Sequence, residues 1–499
     1  MSPAPPSPGA SAEPPGLLAG PGAVAVVVFA LTLVRLAFSA VVPITEDEAY
    51  YRLWALHLAP GYLDHPPMVA VWIAGGMAIA GDNAVGVRLL FVLAPLLGSL
   101  ALWRTARLLF DDAAVAGRAA LWLNATLMVG VGALIATPDG PSTLFWGLAL
   151  WAVAEARASG RGAWWLAVGA FAGLGLASKY SALFLGAGLV VWILVEPRRR
   201  RLLLDPWLWA GGVLALALFA PVVAWNAGHG WASFAKQFGR AAPDGLTFAY
   251  LPEFLGAETG LLGPLMLPFL VLGVVAAFRR RGGDDGARLL VWTSLPFLAY
   301  LLVHALHARV QANWPAPLFP AFALLAAAAA GGVSAGWMVR LRAWVAPVGI
   351  ALSLLALVLA AVPIPGLARL DPMARYRGWP AAAAEIEAAR RAAGAAWIAT
   401  AAYGPTAMLA WHLPGVPVVQ LDERLRYANA PPPAAALLAE PALLVIDARA
   451  RKADALAARF GAVTDAGTVE RRAAGEPVAR YRLWRAAEPA GDPLGDDDR

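Results

Sequence analysis

PGAVAVVVFALTLVRLAFSAVVPITEDEAYY, residues Pro21 to Tyr51, runs from an unbroken apolar stretch into three adjacent acids. Wound as a helix, the apolar part, 21 to 42, is long enough to cross a hydrocarbon layer of about 30 Å. It is too long for the core of a signal peptide. Residues 1–20 before it are rich in Pro, Ala, Gly and Ser and carry Glu13 but no Lys or Arg, so the basic flank of a signal is missing. They read as a disordered tail, and Pro21 begins the first span. Carboxylates are costly in hydrocarbon, so Glu46, Asp47 and Glu48 at the exit of that span point to a polar task at the membrane surface.

The same pattern repeats along the chain. Of its 499 residues 60% are hydrophobic and only 14% charged, against roughly 25% charged in a soluble enzyme. Eleven spans are predicted near 21–42, 84–108, 115–136, 140–155, 161–178, 181–195, 206–226, 255–278, 288–306, 314–336 and 342–362, the fourth and sixth being short. The fold class is therefore a polytopic α-helical membrane protein, with a membrane domain over 21–363. From 364 to 499 charge returns and helix and strand patterns alternate. Helices are expected at Ala381–Ala393 and Pro405–Trp411, and strands at Ala395–Thr400, Val416–Leu421, Ala442–Asp447 and Pro477–Trp484, which together make a small α/β domain. The absence of Cys excludes disulfides and thiolate chemistry. The net charge of +6 is not a nucleic-acid signature, because many of the arginines sit in short loops between spans. No phosphate-loop or zinc-finger spacing is present, and no nucleotide or redox cofactor is expected.

Those arginines set the orientation. Arg104 and Arg107, Arg157 and Arg161, Arg198 to Arg201, Arg279 to Arg281 with Arg288, and Arg340 with Arg342 occupy alternate loops, and such loops are cytoplasmic. The complementary set then faces out: a first loop over 43–83, residues 137–140, the junction at Lys179, 227–254, 307–313 and the C-terminal domain. In the first loop, Glu48 to Leu58 reads as a helix along the interface with its aromatics at headgroup depth. Asp64-His65-Pro66-Pro67 ends it, and Met68 to Ile79 reads as a second surface helix.

The residues able to do chemistry gather on the outer side. Asp47 and Glu48 diverge by about 100° on a helix, so only one of them faces a given pocket. Asp139 adds a carboxylate from another part of the chain. Two such carboxylates suit a divalent cation (Mg, Mn or Zn, with Glu48 and Asp139 as candidate ligands), or a base and a substrate-orienting partner. Lys179, between Ser178 and Tyr180, is a candidate for a phosphate oxygen; its competing reading is snorkelling to headgroups. Arg88 and Arg35 lie deeper, and each calls for an anion, either a protein carboxylate or a lipid-linked phosphate. His65 beside Asp64, and His304 three residues before His307, are candidate metal or phosphate contacts, with Arg309 and Gln311 following. Asn313-Trp314-Pro315 reads as the start of a helix with an interfacial Trp.

Asp47-Glu48-Ala49-Tyr50-Tyr51 with Trp54, then Gly61-Tyr62-Leu63-Asp64-His65-Pro66-Pro67, then Gly86-Val87-Arg88-Leu89, resemble bacterial polytopic glycosyltransferases of the dolichyl-phosphate-mannose protein mannosyltransferase superfamily. That group (glycosyltransferase family 39-like) includes the lipid A aminoarabinose transferases. Thr137-Pro138-Asp139, Ser178-Lys179-Tyr180 and Gln311 to Pro315 extend the resemblance over about residues 30 to 330. It implies a GT-C fold and a hexosyl or pentosyl transferase with a polyprenyl-phosphate-linked sugar donor. Transfer would proceed with inversion at the outer face of the bacterial cytoplasmic membrane, to a lipid A, glycolipid, glycan or protein acceptor. By the same resemblance Asp47 is the catalytic residue and Asp139 the later outer-loop carboxylate, while Lys179 and Arg88 bind the donor phosphate. Tyr50, Glu48, His65, His304, Arg309, Gln311 and Asn313 remain as substrate or metal contacts. A secondary transporter would also fit eleven spans, although no internal repeat is visible. A non-enzymatic envelope assembly protein is the other alternative.

Overall fold

The computed structural model describes residues 20–239, 245–279, 285–363, 371–450 and 453–494. All but Gly20 of the expected tail, Arg280 and Arg281, and the boundary at 364 lie outside the described residues. The chain is a polytopic α-helical membrane protein with a C-terminal sheet domain. Helices Pro21–Val41, Ala84–Phe110, Pro206–Gly228, Asp285–His304 and Gly336–Ala361 are each long and apolar enough to cross a membrane. Three further pairs are bent at a short break: Ala113–Ala125 with Leu127–Leu134 at 65°, Tyr180–Val195 with Pro197–Leu204 at 116°, and Tyr250–Leu262 with Leu267–Arg279 at 101°. If each pair is one span, up to eight helical units qualify among the described residues.

Lipid tails are as apolar as leucine, so close backbone approach rather than hydrophobic exclusion holds such helices together. A Cβ built on Gly169 of helix Trp164–Leu176 would lie 2.0 Å from the Gly211 carbonyl oxygen on Pro206–Gly228. One built on Gly211 would lie 2.2 Å from that of Trp165. Gly169→Val is therefore expected to cost about 1–3 kcal/mol through overpacking and to lower the thermal midpoint of the detergent-solubilised protein.

Ion pairs tie the arginine-rich end together. Arg104 meets Glu155 at 2.7 Å and Arg288 meets Glu196 at 3.0 Å, while Arg157 and Arg199 converge on Asp285. Arg35, expected to need an anion, instead finds neutral acceptors, the Gly130 carbonyl and Asn124 Oδ1, each at 3.1 Å.

The C-terminal domain is one sheet made of β1 (Trp397–Thr400), β2 (Val418–Gln420), β3 (Ala442–Asp447), β4 (Phe460–Ala473) and β5 (Glu476–Pro489), in the order β2-β1-β3-β5-β4. β1 runs parallel to β2 and β3, and β5 is antiparallel to β3 and β4. Helices Trp379–Ala392 and Tyr403–His412 match the expected ones within two residues at each end. β4 was not expected. It forms a long hairpin with β5 across Ala474 and Gly475, both at positive φ.

This domain is not a detached appendage. Ile44, Tyr50, Tyr51, Trp54 and Ile73 from the first outer loop share one apolar cluster with Trp379, Ile386, Ile398, Met408 and Leu443. Tyr50, Tyr51 and Trp54 on Glu46–Ala55, expected as interfacial aromatics, are buried against the sheet domain. Burying such side chains stabilises the contact by about 1.5–3 kcal/mol each. Helix Met68–Ala80 likewise packs inward, with Val69, Ala70 and Ile73 fully buried.

Candidate active site

One helical turn sorts the three acids. Thr45 caps Glu46–Ala55 with a reciprocal box: its hydroxyl oxygen accepts from the Glu48 amide at 3.2 Å, and its own amide donates to Glu48 Oε2 at 3.0 Å. The Glu48 carboxylate also accepts from Arg88 Nε at 2.6 Å, from Arg88 Nη2 at 2.7 Å and from the Ala136 amide at 3.0 Å. Arg88 sends its other protons to the carbonyls of Ser39, Val42 and Pro43 at 2.8–3.0 Å, where helix Pro21–Val41 ends. Both side chains are fully buried. Arg88 is thus not placed to bind a donor phosphate, nor Glu48 to bind a metal or substrate, because their hydrogen-bonding capacity is spent on one another and on the backbone. Their work is architectural: the bond to Ala136 sets Thr137 and Asp139 beside the helix that carries Asp47.

Asp47, one position earlier, points elsewhere. With Tyr50, His65, Asp139, Lys179, Gln311 and Asn313 it lines a cavity of about 530 Å³. Asp139 opens helix Asp139–Ser159, where the helix dipole favours its charge. Its Oδ1 accepts from Lys179 Nζ at 2.5 Å and its Oδ2 from Asn313 Nδ2 at 2.6 Å. Lys179 stands at the break after Trp164–Leu176, and Asn313 at the turn that leads into Ala316–Leu318. Three segments from separate parts of the chain therefore meet at one carboxylate. A second cavity, about 290 Å³ and largely apolar, shares Asp47, Thr137, Asp139 and Asn313 with the first and has Phe91, Pro95, Met128 and Leu144 in its wall.

Other expected residues lie outside the chamber. His304 is buried against the rings of Tyr300, His307 and Trp314. Arg309 pairs with Glu253 at 2.9 Å and lies over the Tyr250 ring, exposed. Glu46 turns to the sheet domain, where a Cβ on Gly404 would come within 2.7 Å of its Oε2. Among the described residues no group of three His, Asp or Glu is placed to hold a metal ion. A cation at Asp139 would have to displace Lys179 and Asn313, so the residues present do not fit the expected divalent site.

The chamber also contains residues that were not anticipated. Tyr403 donates its hydroxyl to Asp47 Oδ1 at 2.9 Å from 356 positions further along the chain. Arg426 Nη1 reaches Asp64 Oδ2 at 2.5 Å, Lys236 Nζ reaches Asp64 Oδ1 at 2.8 Å, and the Tyr50 hydroxyl donates to Asp64 at 3.0 Å. A signal for the first two exists. Tyr403 follows β1 and Arg426 follows β2, and in parallel sheets the crevice beyond the carboxyl ends of strands is where ligand-facing residues collect.

These neighbours split the carboxylates electrostatically. Burial pushes the Asp47 carboxyl up, against the pull of the Tyr403 hydroxyl and of Arg375. Asp64 is also buried, yet Arg426 and Lys236 hold it below the usual carboxylate range. Asp64 is thus the fixed anion of the pair and Asp47 the more basic one, an arrangement suited to proton transfer.

Comparisons with known proteins agree with this architecture. Residues 64–225 match the dolichyl-phosphate-mannose-protein mannosyltransferase family. The lipid A galacturonosyltransferase RgtD of Rhizobium johnstonii is 28% identical over 315 residues, which span 62% of this chain and 62% of that protein. The crystal structure of ArnT from Cupriavidus metallidurans bound to undecaprenyl phosphate superposes with a TM-score of 0.65 at 17% identity, covering 93% of this chain and 98% of that one. Its apo form gives 0.62 at the same identity, covering 92% and 97%. In fold the chain is similar to the ArnT structures, and in sequence parts of it are similar to the mannosyltransferase family and to the lipid A galacturonosyltransferase.

Proposed function

We propose that the protein transfers a sugar, with inversion, from a polyprenyl-phosphate donor to an envelope acceptor at the outer face of the bacterial cytoplasmic membrane. The observation that carries the reading is the meeting, at Asp47 and Asp139, of a cavity lined by charged and aromatic side chains with a largely apolar one. A lipid-linked sugar needs an apolar channel for its tail that leads to a polar chamber for its head. In the reaction Asp47 takes the proton of the acceptor hydroxyl, and the oxygen forms its bond to the anomeric carbon from the face opposite the phosphate. The carbon–oxygen bond to phosphate breaks with its electron pair on the leaving group. Lys179, shared until then with Asp139, moves its charge toward that phosphate. Asn313 keeps Asp139 oriented throughout. No step is routed through a metal.

Eleven crossings complete the topology if helices Asp139–Ser159, Trp164–Leu176 and Ala316–Gly331 span as well. Every chamber residue belonging to the membrane domain then comes from the side opposite the Arg-rich loops, which supports an outward-facing site and an extracytoplasmic sheet domain.

The experiment is a transfer assay in vesicles with labelled polyprenyl-phosphate sugars and lipid A, the acceptor in the name of the Rhizobium relative. Label is expected in the acceptor. Lys179→Met is expected to lower kcat about 10- to 100-fold with little change in donor KM, the value of a charge-assisted hydrogen bond made as the phosphate leaves. Uptake of a soluble solute without transfer would overturn the reading.

A further inference from the structure

The catalytic chamber is closed by a group that the membrane domain does not own. Tyr403 reaches Asp47 from the first turn of helix Tyr403–His412, and several contacts hold it there. Its ring packs against that of Tyr50 at 5.0 Å between centroids, and the Arg426 guanidinium lies over the Tyr403 ring, 4.8 Å from its centroid. Arg426 is itself anchored by Asp64 and Glu423. Beside it, Gly404 has no side chain, which lets Glu46 come close and seats the helix directly on Glu46–Ala55.

We propose that Tyr403 is a positioning residue for Asp47: its hydroxyl fixes one carboxylate oxygen and so presents the other to the acceptor hydroxyl. The inference rests on the reading of Asp47 as the base. An aspartate side chain turns about two bonds, whereas a base must meet its proton within hydrogen-bond reach and at one angle. A single strong donor on Oδ1 removes that freedom before substrate arrives, and entropy removed in advance need not be lost in the transition state. It also favours the ionised form, the only one able to accept a proton. The sheet domain thereby takes part in the chemistry and does more than cover it.

Tyr403→Phe keeps the ring and removes only the hydroxyl, so the packing with Tyr50 and Arg426 survives. Measured on the full chain in vesicles with a polyprenyl-phosphate sugar donor, it is expected to lower kcat about 10- to 100-fold with an unchanged donor KM. A second readout does not depend on turnover. The infrared carboxylate band that disappears in Asp47→Asn should shift in Tyr403→Phe, because the ionised oxygen has lost its donor. An unshifted band, or a KM that rises while kcat holds, overturns the proposal. A wild-type protein that transfers no sugar overturns the function itself, and the band shift would still tell whether the hydroxyl holds the carboxylate.

Discussion

Asp47→Asn is expected to lower sugar transfer about 100- to 10,000-fold, the usual worth of a general base, while the protein remains folded. The amide is nearly the same size and can still accept the Tyr403 hydroxyl through its oxygen, so the chamber keeps its shape. What it loses is the ability to take a proton. Near-normal turnover would remove Asp47 from that role. The same chemistry sets a pH dependence. Burial, with Asp64 and Glu48 nearby, raises the Asp47 carboxyl, and Tyr403 and Arg375 only partly offset this. A base works when ionised, so activity is expected to fall as pH drops through a midpoint above that of an ordinary aspartate. The acid limb of a kcat–pH profile measures it.

Arg88→Met is expected to fail differently. It removes one partner of a fully buried ion pair and leaves the Glu48 carboxylate with two backbone amides and no cation. Losing one member of such a pair costs about 3–5 kcal/mol, enough to unfold a marginally stable domain. Three carbonyls around the end of helix Pro21–Val41 lose their donor in the same step. The variant is expected to accumulate poorly and, where it can be purified, to melt far below wild type. A variant that was stable but could not bind donor would instead place Arg88 on the phosphate. Thermal melting of the Arg88 and Asp47 variants side by side separates framework from chemistry.

The contrast marks how far the chain could be read before its structure was known. Apolar runs of about 20 residues marked the membrane domain, because a span must satisfy its own backbone and so announces itself locally, although only five helices, or up to eight with the bent pairs, are long and apolar enough among the described residues. Loop arginines then sorted the polar residues by side. Arg88 shows where local reading ends: a charge inside a span demands a partner, but Glu48 lies 40 residues away, and nothing in the local sequence chooses between it and a lipid phosphate. The capping box was present in the sequence as Thr45 and Glu48, three apart, and it predicts which acid is spent on the backbone. β4 was missed because Gly461, Asp465 and Gly467 interrupt its alternation, and the strand changes register between Asp465 and Gly467. Tyr403 and Arg426 were legible only as residues beyond parallel strands, because their partners belong to a different part of the chain.

That separation has a consequence for how the molecule is made. The ribosome delivers Asp47 and the membrane helices first, and the segment bearing Tyr403 follows more than 350 residues later. Chains fold broadly in order of emergence, so a newly inserted protein carries the Asp47 carboxylate for most of its synthesis without the Tyr403 hydroxyl that bonds it. Completion of the chamber waits for the C-terminal sheet domain to fold. A chain interrupted before then would be embedded in the membrane but not yet equipped to act on it.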